Sequence, residues 1–218
     1  MSELDYIFLG LFLAILVIAF FMKWKKSAYQ ADCLECAIKL ELKDANSNLM
    51  RHTVSFCLVN TGKEPINAHH NYVSGSVPKE WKEVKVKVYD KNHQPLRVRL
   101  INDKPLKKDF LVLFSDFISP GELFYYTLEY EWERLGNYEI DILTRLKRLS
   151  LSLVFSEKVK LEKAFVSKLI GGFIFSKKMD LGEPLIRSVG KTKKEASLML
   201  TNLDPGTKVL FKWSFIKI

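Results

Sequence analysis

The chain has 218 residues, of which 48% are hydrophobic and 27% are charged, and its formal net charge at pH 7 is +9. About 190 residues follow an apolar N-terminal segment, which is enough for one large or two small domains with real cores. This length excludes a protein that consists of a membrane segment alone. The positive charge by itself identifies no partner.

The chain begins with an uninterrupted apolar run from Tyr6 to Met22 that contains no charged residue. At ~1.5 Å per residue the run spans roughly 26 Å, close to the ~30 Å of a hydrocarbon core. We therefore predict a transmembrane helix over residues 6–22. A short tail over residues 1–5 precedes this helix, and a basic juxtamembrane linker over residues 23–32 follows it.

The residues that flank the apolar run predict its orientation. The predicted membrane-interface residues are Tyr6, Lys23, Trp24, Lys25 and Lys26. Glu3 and Asp5 make the start acidic, whereas a cleaved signal peptide has a basic start and a small-residue cleavage site. The run therefore reads as an uncleaved signal anchor. Because positive charge stays inside, we expect an outside N-terminus and a cytoplasmic body.

Beyond residue 35 the hydrophobic period is two, which is typical of β-strands. Apolar and polar residues alternate along short segments, and Gly, Pro, Asn and Asp mark turns between them. The pattern predicts antiparallel sheets, with only Glu157–Lys168 ambiguous between helix and strand. Strands are predicted around residues 37–42, 54–58, 84–88, 97–100, 110–114, 124–132, 149–155 and 208–216.

Two Pro-Gly turns precede aromatic-rich strands and lie 85 residues apart. Ser119–Glu122 leads into the strand at 123–132, and Asp204–Thr207 leads into the strand at 208–216. This spacing is close to the size of one immunoglobulin-like unit, and the shared aromatic alternation favours a duplication. The sequence therefore predicts two tandem antiparallel β-sandwich units, over residues 33–134 and 138–218.

The segment Leu203-Asp204-Pro205-Gly206-Thr207-Lys208-Val209 resembles the turn before the penultimate strand of fibronectin type III domains. That family usually has Leu-x-Pro-Gly-Thr-x-Tyr at this place. Val209 replaces the aromatic residue, and no residues remain after this strand for a final one. The resemblance implies an immunoglobulin-like sandwich and, by analogy, a binding or spacer module.

The positive charge is concentrated in the last third of the chain. Residues 142–218 hold 16 Lys and Arg against 6 Asp and Glu, whereas residues 1–141 hold 18 against 19. Such a basic region at a membrane can bind acidic lipid head groups, nucleic acid, a phosphorylated small ligand or an acidic protein partner. Alternatively, the charges only solvate strands and protect sheet edges. The candidate residues for binding an anionic ligand or lipid are Arg145, Lys147, Arg148, Arg187, Lys191, Lys193 and Lys194.

Cys33-Leu34-Glu35-Cys36 is the most suggestive short motif, because a C-x-x-C pair can bind zinc or act as a redox dithiol. Zinc needs four ligands, and the nearest further candidates are Cys57, His69 and His70. No second C-x-x-C pair follows, and the two histidines lie in a polar stretch that we interpret as a loop. We therefore expect reduced, inert thiols and neither a metal nor another cofactor.

The sequence contains no G-x-S-x-G elbow, H-E-x-x-H pair or dinucleotide fingerprint, so we do not expect an enzyme. We predict a single-pass, membrane-anchored, non-catalytic binding, scaffold or sensor module. Its expected partners are the lipid bilayer, a protein or anionic ligand, and a second copy through the small residues Gly10 and Ala14. Nucleic acid is not expected as a partner. Two alternatives stay open: a prokaryotic defence effector gated by a nucleotide-like anion, and an exported surface or adhesion module.

Overall fold

The computed structural model describes residues 31–171, 176–190 and 192–217. The predicted transmembrane helix at 6–22 lies outside these residues. So do its interface residues, the Gly10 and Ala14 pair, and Lys191. Within the described part of the chain, no helix is long and apolar enough to cross a membrane. The predicted linker overlaps the first strand, which begins at Ala31.

The regular secondary structure of the described residues is almost entirely β-strand, which confirms the all-β prediction. One short helix, α1, covers Trp81–Val84. The strands are β1 (Ala31–Asp44), β2 (Leu49–Asn60), β3 (Ile66–Ser74), β4 (Lys87–Asp90), β5 (Arg97–Lys104), β6 (Lys107–Ile118), β7 (Leu123–Glu133), β8 (Asn137–Asp141), β9 (Leu146–Ser156), β10 (Val159–Gly171), β11 (Ser176–Asp180), β12 (Leu185–Val189), β13 (Lys193–Leu203) and β14 (Lys208–Lys217).

Three sheets contribute to one hydrophobic core. The largest has seven strands in the order β12-β13-β9-β1-β2-β7-β4, the second has the order β11-β10-β14-β8, and the third has the order β3-β6-β5. The pairings within these sheets are antiparallel except for that of β1 with β9. The parallel register runs from Glu35 opposite Arg148 to Glu41 opposite Val154. The arrangement is sandwich-like.

The aromatic alternation predicted for residues 124–132 is confirmed in β7. Tyr126, Leu128, Tyr130 and Trp132 are each at most 3% exposed, whereas the residues between them face the opposite side of the sheet. A strand shows this pattern because successive side chains point to opposite faces. The seven-stranded sheet therefore has an apolar inner face and a polar outer face.

Strands from both predicted units share one sheet, which corrects the expectation of two tandem sandwiches. β9 belongs to the predicted second unit, yet it lies beside β1 of the first. Residues 31–218 accordingly form one compact unit, and the two segments do not each have a separate pair of sheets. Alternation within a strand identifies which side chains are buried, but it does not identify the neighbouring strand.

Two local predictions also change. Residues 81–84 form a helical turn whose capping box joins Glu80 and Glu83, so the strand predicted from 84 to 88 begins only at Lys87. Lys85 ends the helix in the left-handed region at φ +52°. The polar stretch with His69 and His70, expected as a loop, belongs to β3. The ambiguous segment 157–168 is a turn followed by β10.

The two Pro-Gly turns adopt the same geometry. Gly121 has φ +80° and Gly206 has φ +81°, a region that glycine enters without steric cost. In each turn the residue after glycine donates its backbone N–H to the carbonyl of the residue before proline. Both turns therefore follow the pattern of a type II turn, as the sequence indicates.

Because β1 and β9 share a sheet, we expect residues 31–218 to unfold in one cooperative transition. Leu151, 1% exposed in β9, faces the shared core, so Leu151→Ala should lower the free energy of unfolding by about 2–5 kcal/mol. Thermal and urea unfolding of the full-length protein, followed by circular dichroism, measure this effect. Met199→Ala on the neighbouring strand is the control and should change stability by about 0.5 kcal/mol or less, because Met199 is 61% exposed. Two separate transitions would contradict the shared sheet.

Candidate functional site

The outer face of the seven-stranded sheet carries ion pairs that cross between strands. Their nitrogen-to-oxygen distances range from 2.5 to 3.3 Å. Each exposed pair contributes about 1 kcal/mol or less to stability. In each pair a cationic side chain neutralises a carboxylate, so these eight residues add no net charge to this face. The pairs are Arg51 with Glu131, Arg148 with Glu35, Arg187 with Glu195, and Lys193 with Glu41.

The predicted anion-binding residues fall into two separate groups in the described part of the chain. Arg145, Lys147 and Arg148 lie at the beginning of β9. Lys193 and Lys194 lie on β13 opposite Ser156 and Phe155, at the other end of β9, and Arg187 lies beside them on β12, paired with Glu195. Eight residues of strand separate the two ends, or about 26 Å at ~3.3 Å per residue. Their role in binding an anion stays a prediction, and a single ligand contacting both groups would have to be long.

The cysteines lie where β1 and β2 pair, and all three are free thiols. Burial raises the pKa of Cys33 to about 12 and raises that of Cys36 well above its usual value. A protonated thiol is a poor nucleophile and a poor metal ligand. In the described residues, no three His, Cys, Asp or Glu side chains are placed to hold a metal ion. The weaker metal candidates Cys33, Cys36, Cys57, His69 and His70 therefore do not converge there.

A small buried hydrogen-bond network connects β3 to β7. The hydroxyl of Tyr126 lies 2.7 Å from Nδ1 of His69 and accepts a hydrogen bond from the side-chain amide of Asn71. The hydroxyl can then donate to His69, which fits a neutral imidazole. Burial, and to a smaller degree the charge of the nearby His70, lower the pKa of His69 to about 4. The network satisfies polar groups between two sheets, and sequence reasoning did not find it.

A second cluster joins β2, β3, β7 and β8. His52 is fully buried, and its ring stacks on Tyr130 at 4.2 Å between centroids and lies 5.5 Å from Tyr138. Arg134 is 6% exposed, donates to Ser74, and holds its guanidinium 4.6 Å from the centre of the Tyr138 ring. Burial, and then the charge of Arg134, hold the pKa of His52 well below its ordinary value.

A cleft of about 570 Å³ lies between α1 and strands β2, β4 and β7. Its charged side chains include equal numbers of both signs, and two oppositely charged pairs are already bonded, at 3.0 and 2.8 Å. Arg51 pairs with Glu131 and Lys79 with Glu133, so four of the eight charged side chains that line the cleft neutralise one another. Its cations are Arg51, Lys79, Lys85 and Lys87, and its anions are Glu83, Glu129, Glu131 and Glu133.

Strand β12 forms one edge of the seven-stranded sheet, and all five of its side chains are exposed. Leu185 is 71% exposed, Ile186 53% and Val189 41%. Only β13 pairs with it, so its other side carries backbone groups without a strand partner in the described residues. Sequence analysis did not single out this strand, although it contains Arg187. Leu185-Ile186 lacks the alternation that marks a half-buried strand.

Comparisons with known proteins find no matching family model and no matching curated protein. An M1 zinc metallopeptidase from Deinococcus radiodurans is 10% identical, with a TM-score of 0.47, over 84% of this chain and 42% of that one. A predicted protease from Parabacteroides distasonis is 11% identical, with a TM-score of 0.46, over 85% of this chain and 41% of that one. The chain thus spans less than half the length of these proteins, and so weak a likeness supports no functional argument.

The native thiols should react slowly with a disulfide reagent at pH 8. A pKa of about 12 leaves about one Cys33 in ten thousand as thiolate, and Cys36 and Cys57 are buried. Ellman's reagent measures the rate on the folded full-length protein and again in denaturant, where all three should react readily. Ser115→Cys places a thiol at an exposed position of β6 and supplies the matched fast control. Rapid reaction of a native thiol would reveal an activated cysteine.

The fully buried His52 and the partly buried His69 should make stability fall as the pH is lowered. Both have a folded-state pKa below the unfolded value of ~6.5, so the unfolded state binds more protons below that pH. The free energy of unfolding should therefore drop by about 1 kcal/mol per pH unit for each histidine, down to about pH 4 for His69. Urea unfolding between pH 7 and 4.5 measures this slope.

His52→Phe should reduce that slope because it removes one of the two protonation sites. Tyr138→Phe keeps an aromatic ring beside His52 and should leave the slope unchanged, even if it alters stability. Equal slopes for His52→Phe and the native protein would contradict the assignment of His52 as a buried neutral histidine.

Proposed function

We propose that this protein is a non-catalytic binding module held at a membrane by residues 6–22. The observation that carries the proposal is the contrast within one sheet. The outer face is balanced by ion pairs, whereas the edge strand β12 leaves its apolar side chains and one row of backbone groups exposed. An apolar surface of this kind is typical of interaction sites.

The buried titratable groups support a binding role over a catalytic one. Cys33 is held protonated and His69 neutral at physiological pH. Tyr126 and Arg134 connect neighbouring sheets through their hydrogen bonds. A catalytic acid or base usually has a pKa near the working pH and lies in a cleft, and these groups have neither property. Their chemistry fits a structural role.

The membrane part of the proposal rests on the sequence. The apolar run ends at Met22, and β1 begins at Ala31, so a short basic segment joins the predicted anchor to the first strand. Lysines after the run favour a cytoplasmic location for the body. A module attached in this way meets partners at the membrane surface.

Membrane attachment is tested by fractionating cells that express the full-length protein. The protein should remain with membranes through alkaline carbonate washing and should be released by detergent, because an apolar span partitions into lipid. Deleting residues 6–22 should move it to the soluble fraction. Release of the intact protein by carbonate alone would contradict the anchor.

The orientation of the protein in the membrane is best measured with an introduced thiol, because the native cysteines are expected to react slowly with labelling reagents. Ser115→Cys, labelled with a membrane-impermeant maleimide, should react only after lysis if the body is cytoplasmic. The native protein serves as the background control. Labelling in intact cells would contradict the cytoplasmic location and favour the exported surface module.

A further inference from the structure

The register of β12 determines what its exposed edge offers. Leu185, Arg187 and Val189 lie opposite Ser197, Glu195 and Lys193 of β13, on the polar outer face of the sheet. Ile186 lies opposite buried Ala196, on the face that points toward the core. A strand added beside β12 would therefore meet Leu185, the Arg187–Glu195 ion pair and Val189 on one face, and Ile186 and Ser188 on the other.

The inner side of this edge has a small recess. A cleft of about 60 Å³ is lined by Ile186, by Leu161 and Ala164 of β10, by Pro184, and by the charged side chains of Glu162, Lys163 and Glu183. The chain reaches this place from β11 through backbone hydrogen bonds between Val166 and residues 181–182. The recess is therefore mixed in polarity, and the exposed backbone groups of β12 beside it provide hydrogen-bonding partners.

The opposite edge of the same sheet shows how such an edge can be covered. In β4, the backbone N–H of Asp90 donates to Gln94, and the carbonyl of Val88 accepts from Leu96. The chain thereby folds back over its own edge. No backbone hydrogen bond covers the outer side of β12 within the described residues.

Charge argues for the kind of partner. Residues 177–195 contain six basic and three acidic residues, so the segment keeps a net positive charge even though Arg187 pairs with Glu195 and Lys193 pairs with Glu41. Antiparallel pairing of β12 with a second copy centred on Arg187 would bring two arginines together and double this charge. An acidic strand is complementary and would also suppress self-association.

We propose that β12 binds an extended acidic segment of a partner protein by strand addition. Backbone hydrogen bonds supply affinity, and alternate side chains supply specificity. On the outer face, apolar residues of the segment pack on Leu185 and Val189 with an acidic residue between them beside Arg187. One apolar side chain of the segment points inward beside Ile186. The inference rests on the proposed binding function and names its surface and its partner chemistry.

Binding is tested with a synthetic peptide on the full-length protein in mild detergent. The fluorescein-labelled probe Ser-Val-Leu-Glu-Thr-Val-Ser places valine, glutamate and valine on one face and leucine on the other. Fluorescence anisotropy should report saturable binding. A peptide with lysine in place of glutamate, and one N-methylated at alternate backbone amides, should each bind at least about tenfold more weakly.

Variants locate the binding to this edge. The double variant Leu185→Glu with Val189→Glu should weaken binding at least about tenfold, and it should fold normally because both side chains are exposed. Arg187→Glu should reverse the preference between the glutamate and lysine peptides. Leu135→Glu is the matched control, because Leu135 is 66% exposed but lies outside β12, and it should bind as the native protein does.

Amide hydrogen exchange separates strand addition from contact through side chains alone. Saturating peptide should slow exchange of amides within residues 185–189, because added backbone hydrogen bonds protect them. Unchanged exchange, equal binding of the N-methylated peptide or absence of peptide binding would overturn the proposal. A dimer in analytical ultracentrifugation that the double variant abolishes would also overturn it and assign the edge to a second copy. These outcomes leave membrane attachment untouched, so the failure of this proposal is distinguishable from the failure of the anchored module.

Discussion

The parallel pairing of β1 with β9 is the contact on which the architecture depends. It brings together strands separated by about a hundred residues of chain, with β2 to β8 between them. Such a pairing has a large loop-closure cost and requires a long crossover. Because β9 also pairs with β13, and β13 with β12, this one junction extends the sheet of the first half with strands of the second. It also makes β12 an edge of the largest sheet.

The buried polar residues stabilise the arrangement of the sheets around that junction. The cluster of His52, Tyr130, Tyr138 and Arg134 joins three strands, and the Arg134 bonds to Ser74 add β3. The hydroxyl of Tyr126 fixes β7 against β3 in the same way. A buried polar group is costly without its partner, so the hydrogen bonds of Arg134 to Ser74 and of Tyr126 to His69 favour this packing over a slipped alternative, whereas His52 contributes through ring stacking on Tyr130. The buried groups with strongly shifted pKa values, such as His52 and Tyr126, therefore contribute to packing in the core.

The sequence predicts local features such as strands and turns, but it does not predict which distant segments come into contact. Alternation correctly located β7, β9 and β14, and the two Pro-Gly turns have the expected geometry. It could not show that β9 lies beside β1, because register and neighbour are set by packing. The clustering of basic residues shows that the last third of the chain has a positive net charge. It did not reveal that Lys193 bonds Glu41, a residue 152 positions away. The close approach of Trp132 to Gly75, where a Cβ would lie 2.2 Å from the ring, is equally invisible in a pattern.

The two edges of the largest sheet present opposite solutions to one problem. An open edge invites pairing with other chains, and proteins commonly protect it with charges, with proline or with their own chain. β4 is short and covered by residues 94–96, whereas β12 keeps two adjacent apolar residues, and its one charge is paired with Glu195. Such an edge is an aggregation hazard unless something occupies it. A basic surrounding segment repels identical copies yet attracts an acidic strand, so the same charges limit self-association and select the partner.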